Sequence, residues 1–156
     1  MLYTLVLLAQ AEQSIVFVGN SYTQYNALPS QVHSALETTI ASWSTVEVTS
    51  LTGGGLNFAN HATRMNDEGS AWQEAFSSPH NWFIFQDQSQ IPGFPESELY
   101  WQNSLAGLQE MHARVAEFGG ESMLMLTWGR RDGDVQNPVL YEDFTTMQGR
   151  LNEGYL

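Results

Sequence analysis

Residues 15–18 read Ile15-Val16-Phe17-Val18, an unbroken apolar run that stops at Gly19-Asn20-Ser21. A short run with no polar face is buried on both sides, as a strand inside a parallel sheet is. After the turn, Leu28, Val32, Leu36 and Ile40 recur every four residues, the stripe of an amphipathic helix. Strand, tight turn and helix is the unit that sets one side chain at the C-terminal edge of an α/β sheet, where ligands gather. Here that side chain is the hydroxyl of Ser21, a candidate nucleophile. Ser after a strand also caps helices, so its residue type alone leaves that simpler role open.

The alternation continues along the chain. Residues 45–51, with Val46, Val48 and Leu51, read as a second strand, and Gly53-Gly54-Gly55 as a loop. Residues 71–76 read as a short helix and Trp82-Phe83-Ile84-Phe85 as a third strand, followed by a Pro92-Gly93-Phe94-Pro95 turn. Leu105, Leu108, His112 and Val115 mark a long helix that Gly119-Gly120 ends. Residues 123–126 read as a fourth strand, 128–138 as a polar loop and 141–156 as a last helix. This order predicts an α/β fold, a parallel sheet with helices on both faces. Four strands and a last helix leading nowhere look incomplete: either the chain is a fragment of a longer protein or its edge strand is exposed. The expected organisation is one domain over residues 14–156, preceded by an extension at 1–13.

Composition excludes several functions. The 156 residues hold 17 acidic side chains against 5 basic ones, a formal net charge of -12, and every basic residue is Arg. Nucleic acid and anionic membrane surfaces are bound through Lys and Arg, so neither is an expected partner. Without Lys there is no Schiff base and no Walker A loop. With no Cys there are no disulfides, thiolate zinc sites or Cys nucleophiles. Leu5-Val6-Leu7-Leu8 before Ala9-Gln10-Ala11 has the form of a clipped signal peptide, so the expected location is secreted or periplasmic, with a plain extension of a cytoplasmic protein as the alternative.

Three segments resemble the SGNH (GDSL-type) hydrolases, in the variant with Gly-Asn-Ser in place of Gly-Asp-Ser: residues 16–23, Gly53-Gly54-Gly55 after the second strand, and Phe85-Gln86-Asp87-Gln88-Ser89 after the third. The resemblance implies a flavodoxin-like, three-layer α/β/α fold and an esterase, lipase or carbohydrate deacetylase activity. It implies that Ser21 is the nucleophile and that the oxyanion rests on the N–H of Ser21, the N–H of Gly54 and a side-chain amide from the third block. Gln88 stands at the closest position for that amide, with Gln86 the alternative. No metal or organic cofactor is implied, and the expected partner is a small-molecule or carbohydrate ester.

The chain departs from the family's pattern in the third block, where the family has Asn and this chain Gln, and more seriously in its catalytic base. Family members carry an Asp-x-x-His that supplies base and orienter, and no Asp here is followed three residues later by His. Serine needs an adjacent base to take its proton. The block belongs after a fifth strand, so the two absences are expected to share one cause, an N-terminal portion of a longer hydrolase. Of the four histidines, His33 reads as part of a solvated helix face, His112 as a packed residue on the apolar stripe, and His80 as lying at the opposite end of the sheet. His61, downstream of the triple-Gly loop, is the one expected to face the pocket, with a structural role the alternative.

Asn20 is expected to shape the turn, tolerating positive φ, or to touch substrate. Trp128 and Arg130, on the loop after the fourth strand, are expected to stack on a sugar and hold an anionic group, Arg131 being the alternative for the latter and a salt-bridged loop the simpler reading. Asp132 and Asp134 hint at calcium, but the rest of an EF-hand loop is absent. The leading expectation is an SGNH-type ester hydrolase; the competing one is a non-catalytic module binding a carbohydrate or small ester at the same edge.

Overall fold

The computed structural model describes residues 13–156. The apolar segment at residues 5–11 and its Ala9-Gln10-Ala11 motif lie outside them. A four-stranded, wholly parallel sheet runs in the order β2-β1-β3-β4, with β1 at Ser14–Gly19, β2 at Glu47–Thr52, β3 at Trp82–Phe85 and β4 at Glu121–Leu124. β1 therefore sits between β2 and β3, and its C-terminal end is flanked by the loops of both.

Alternation along β1 builds two cores. Ile15 and Phe17 face one side, where they meet Val32 and Leu36 of helix α2 (Leu28–Thr39) together with Trp43, Trp82 and Ile84. Val16 and Val18 face the other, where Phe83 and Phe85 join Phe58, Ala62 and Met65 of α3 (Phe58–Met65), Phe76 of α4 (Ala71–Phe76), and Met111 and Val115 of α5 (Leu99–Glu117). The result is the expected three-layer α/β/α arrangement. A short helix, α1 (Ser21–Gln24), precedes α2, and α6 (Phe144–Tyr155) packs Met147 and Leu151 on Tyr141 and Phe94 beside the loop after β3.

Several local expectations change. α3 was not anticipated, although Phe58, Ala62 and Met65 carry a helical spacing and Asn57 and Asn60 form a reciprocal capping box. β4 begins two residues earlier than expected, because Glu121 to Leu124 pair with Trp82 to Phe85. His112 is exposed and bonds Ser122 Oγ at 2.9 Å, while Met111 takes the core position. Among the described residues β4 pairs on one side only, and Met123, Leu124 and Leu126 are each about half exposed.

Between α1 and α2 the chain turns through Asn26 (φ 55°) and Ala27 (φ 52°), two consecutive left-handed residues. Ala27 has no side-chain capping bond to offset the strain of its Cβ. Ala27→Gly is therefore expected to stabilise the protein by about 0.5–1 kcal/mol, less the extra entropy a glycine gives the unfolded chain. Urea unfolding would show it as a higher midpoint at unchanged slope.

Candidate active site

The turn after β1 is held from below. Gln86, fully buried, accepts from the backbone N–H of Asn20 at 3.0 Å and from Thr23 Oγ1 at 2.9 Å, and donates to the Asp87 carbonyl. A Cβ on Gly19 would collide with Thr23 Oγ1 and come within 2.8 Å of Gln86 Oε1, so this close approach needs glycine. Asn20 is 2% exposed and fully committed: Oδ1 accepts from Tyr22 N–H at 3.0 Å, and Nδ2 donates to the carbonyls of Leu56 at 3.0 Å and Asp87 at 3.1 Å. Its φ is -124°, not positive. Asn20 thus ties the ends of three strands together and caps α1, and buried with its amide spent on the protein it offers no group to a substrate. Ser21, the next residue, is exposed at the first position of α1.

Around Ser21 the expected donors divide. The N–H groups of Ser21 and Gly54 have no acceptor among the described residues, and Gly54 sits exposed with open space around it. Gln86 is spent beneath the turn, whereas Gln88 is half-buried on a cavity wall. The Gln88 amide is oriented by Gln90: its Oε1 accepts from Gln90 N–H at 2.7 Å, and its Nε2 makes a long contact of 3.4 Å to Gln90 Oε1.

His61 does not face the pocket. It is fully buried, its Nδ1 accepting from Trp72 Nε1–H at 2.9 Å with the two rings stacked. Burial, aided by the nearby Arg64 charge and opposed by the Gly19 carbonyl, lowers its pKa to about 4, so the ring is neutral near pH 7. His33 bonds the Val46 carbonyl on the far side of α2, and His80, beside Ser78, precedes β3 at the opposite end of the sheet. None of the chain's histidines stands at Ser21.

Trp128 is half exposed and lies against Tyr22, the residue after Ser21, ring centroids 4.7 Å apart. Arg130 is not free to hold an anion. Its Nη1 pairs with the buried Asp134 at 2.5 Å and its Nη2 donates to Ser89 Oγ at 3.2 Å. Arg131 pairs with Asp132 on the surface. Asp134 is filled by hydrogen-bond donors, from Gln90, Asn137 and the Gln136 backbone as well as Arg130, and among the described residues no three His, Asp or Glu side chains are placed to hold a metal ion.

Sequence reasoning missed Asp87. It is 2% exposed, yet its carboxyl receives Phe58 N–H at 3.1 Å, Gln88 N–H at 2.8 Å and Ser104 Oγ–H at 2.7 Å. Burial raises its pKa to about 6 against the opposing pull of those bonds. It joins α3, α5 and the loop that carries Gln88. A cavity of about 800 Å³ opens among the loops after β2, β3 and β4, lined by Gly55, Asn57, Gln88 and Gln90 near the sheet and by Phe94, Glu98, Tyr100 and Leu140 farther out. Its volume suits a small organic ligand. Ser21 is not among its lining residues, whereas Gly55 and Gln88 are. Among the described residues no helix is long and apolar enough to cross a membrane.

No protein-family model matches the chain, and no curated protein matches it in sequence. Solved structures do. A protein of Slackia heliotrinireducens assigned as an SGNH hydrolase is similar with a TM-score of 0.71 at 20% identity, over 92% of this chain and 72% of that one. Axe2, an acetylxylan esterase from Geobacillus stearothermophilus, is similar with a TM-score of 0.60 at 12% identity, over 94% of this chain and 70% of that one. The psychrotrophic esterase EstA from Pseudoalteromonas sp., in a structure inhibited by monoethylphosphonate, gives 0.53 at 10% identity, over 92% and 72%. At these identities the likeness establishes the fold, that of the SGNH hydrolases and esterases.

Proposed function

We propose that this edge of the sheet is the acyl-transfer site of an ester hydrolase, with Ser21 as nucleophile. The observation that carries the reading is the exposed Ser21 at the end of the central strand, with its own N–H and that of Gly54 both lacking an acceptor among the described residues, in a fold shared with hydrolases and esterases. Ser21 Oγ attacks the ester carbonyl, and the oxyanion is held by Ser21 N–H, Gly54 N–H and Gln88 Nε2. Collapse expels the alcohol, and water later releases the acid. Donors of this kind are each worth about 3–4 kcal/mol of barrier. Trp128 beside the site supports a carbohydrate ester, the substrate class named for the structurally similar acetylxylan esterase.

The general base is the part this chain's histidines do not supply. In Axe2 the catalytic mutants change a serine, an aspartate and a histidine, the last two three positions apart; that spacing is absent here. A fluorophosphonate tests the nucleophile without needing turnover. We expect a slow adduct on Ser21, absent in Ser21→Ala, and an increase of about tenfold or more in its rate on adding imidazole, since a general base is worth about 10²–10⁴. Absence of any Ser21 adduct with imidazole present would sink the reading. The second reading, a binding module using the same edge, is favoured by the lack of a histidine at Ser21, and ligand binding without an adduct is its signature.

A further inference from the structure

The cavity that Gln88 lines is electrostatically one-sided. Glu98 is the one charged side chain among its lining residues, and it has no ion-pair partner among the described residues. Its side chain makes no capping bond at the start of α5 either. The nearest argument for an anion site, Arg130, is cancelled by Asp134. That same buried carboxylate draws the amide hydrogens of Gln90 and Asn137 toward itself, at 2.6 and 2.8 Å, which leaves Asn137 Oδ1 without a donor among the described residues. Asn57 and Gln136 keep amide hydrogens, but these are uncharged and serve hydroxyl groups. Two aromatic rings, Phe94 and Tyr100, share the wall with Glu98.

An unpaired carboxylate attracts cations, and aromatic side chains lining the same cavity add to that preference. The net charge of -12 adds a field of the same sign at the exposed Glu98. We propose that this cavity seats the alcohol part of the ester and takes an ammonium-bearing alcohol in preference to its neutral counterpart, with Glu98 as the residue that decides. The proposal rests on the hydrolase reading for the word ester, but the charge preference belongs to the cavity itself. Amino alcohols and amino sugars share the required chemistry.

Binding is therefore measured, by NMR titration, with two matched pairs. Choline and 3,3-dimethylbutan-1-ol differ in one charge at nearly constant shape; glucosamine and glucose differ in an ammonium against a hydroxyl. We expect the cation of at least one pair to bind about fivefold more tightly at low ionic strength. The pair that shows it identifies the source. The ratio falls toward one in about 0.5 M salt and in Glu98→Gln. Equal affinities within both pairs, or a ratio that Glu98→Gln leaves intact, overturn the proposal. The fluorophosphonate adduct on Ser21 is read on the same preparations. No charge ratio in the wild-type protein, with the adduct present, overturns this inference alone. A missing adduct with the ratio intact overturns the hydrolase reading and leaves a cation-selective binding cavity.

Discussion

Asn20→Asp, nearly isosteric, is expected to destabilise the protein by about 3–5 kcal/mol at neutral pH. Judged as a helix cap the change is neutral, since Asn and Asp cap equally well. The other end of the side chain decides. Asn20 Nδ2 donates to the Leu56 and Asp87 carbonyls at 3.0 and 3.1 Å in a site 2% exposed. A carboxylate oxygen there loses both bonds, faces two carbonyl dipoles and sits near the buried Asp87. The new acid would have a raised folded-state pKa, so its penalty is full at neutral pH and shrinks as pH falls through that value. Asn20→Ala, which loses the bonds without adding charge, is expected to cost about 2–3 kcal/mol. Urea unfolding at neutral and acid pH separates these outcomes. A cost for Asn20→Asp under about 1 kcal/mol would refute the account.

The second large effect is a concealed pH dependence. The folded-state pKa of Asp87, raised from 3.8 to about 6, makes a stabilising contribution that is complete below 3.8 and lost as pH rises through 6. The pKa of His61 moves oppositely, from 6.5 to about 4, so its contribution is complete above 6.5 and lost as pH falls through 4. Each amounts to about 3 kcal/mol, and over the shared window of roughly pH 4–6 the slopes cancel. Single variants uncover them. Asp87→Asn leaves the His61 slope, so that protein loses stability on acidification from 6.5 to 4. His61→Asn, which keeps an acceptor for Trp72, leaves the Asp87 slope and gains stability over the same range. The remaining acids are common to both variants, so the comparison isolates the pair. Parallel pH profiles for the two variants would refute the assignment of either group.

The sequence was most legible where a segment's neighbours do not matter. The continuous apolar runs of β1 and β3 and the stripe of α2 placed those elements almost to the residue. The parallel α/β fold follows from their alternation. α3 was missed although its spacing and caps were present, because the triple-Gly loop before it drew the whole segment into irregular structure. His112 and Met111 exchanged places for a subtler reason: the long α5 stripe fixes a face, but which of two adjacent residues faces the core depends on how α5 lies on the sheet. Asp87 and Asn20 were illegible as fasteners, since their partners lie up to 67 residues away and are mostly backbone atoms without a residue-type signature. The same limit explains Arg130. Its commitment to Asp134 and Ser89 turns on distances that a list of residues does not contain.

The β4 edge carries a consequence for the protein as a material. Among the described residues its free side presents unpaired backbone groups, with Met123 and Leu124 about half exposed on the faces of the strand, and the strand holds no Pro and no Lys, Glu121 being its one charged residue. What separates two such edges in solution is mutual repulsion between molecules of charge -12. Colloidal behaviour is then governed by ions and protons rather than by shape. Salt that screens the repulsion, or acid that titrates the carboxylates, brings folded molecules within reach of one another with their tertiary structure intact.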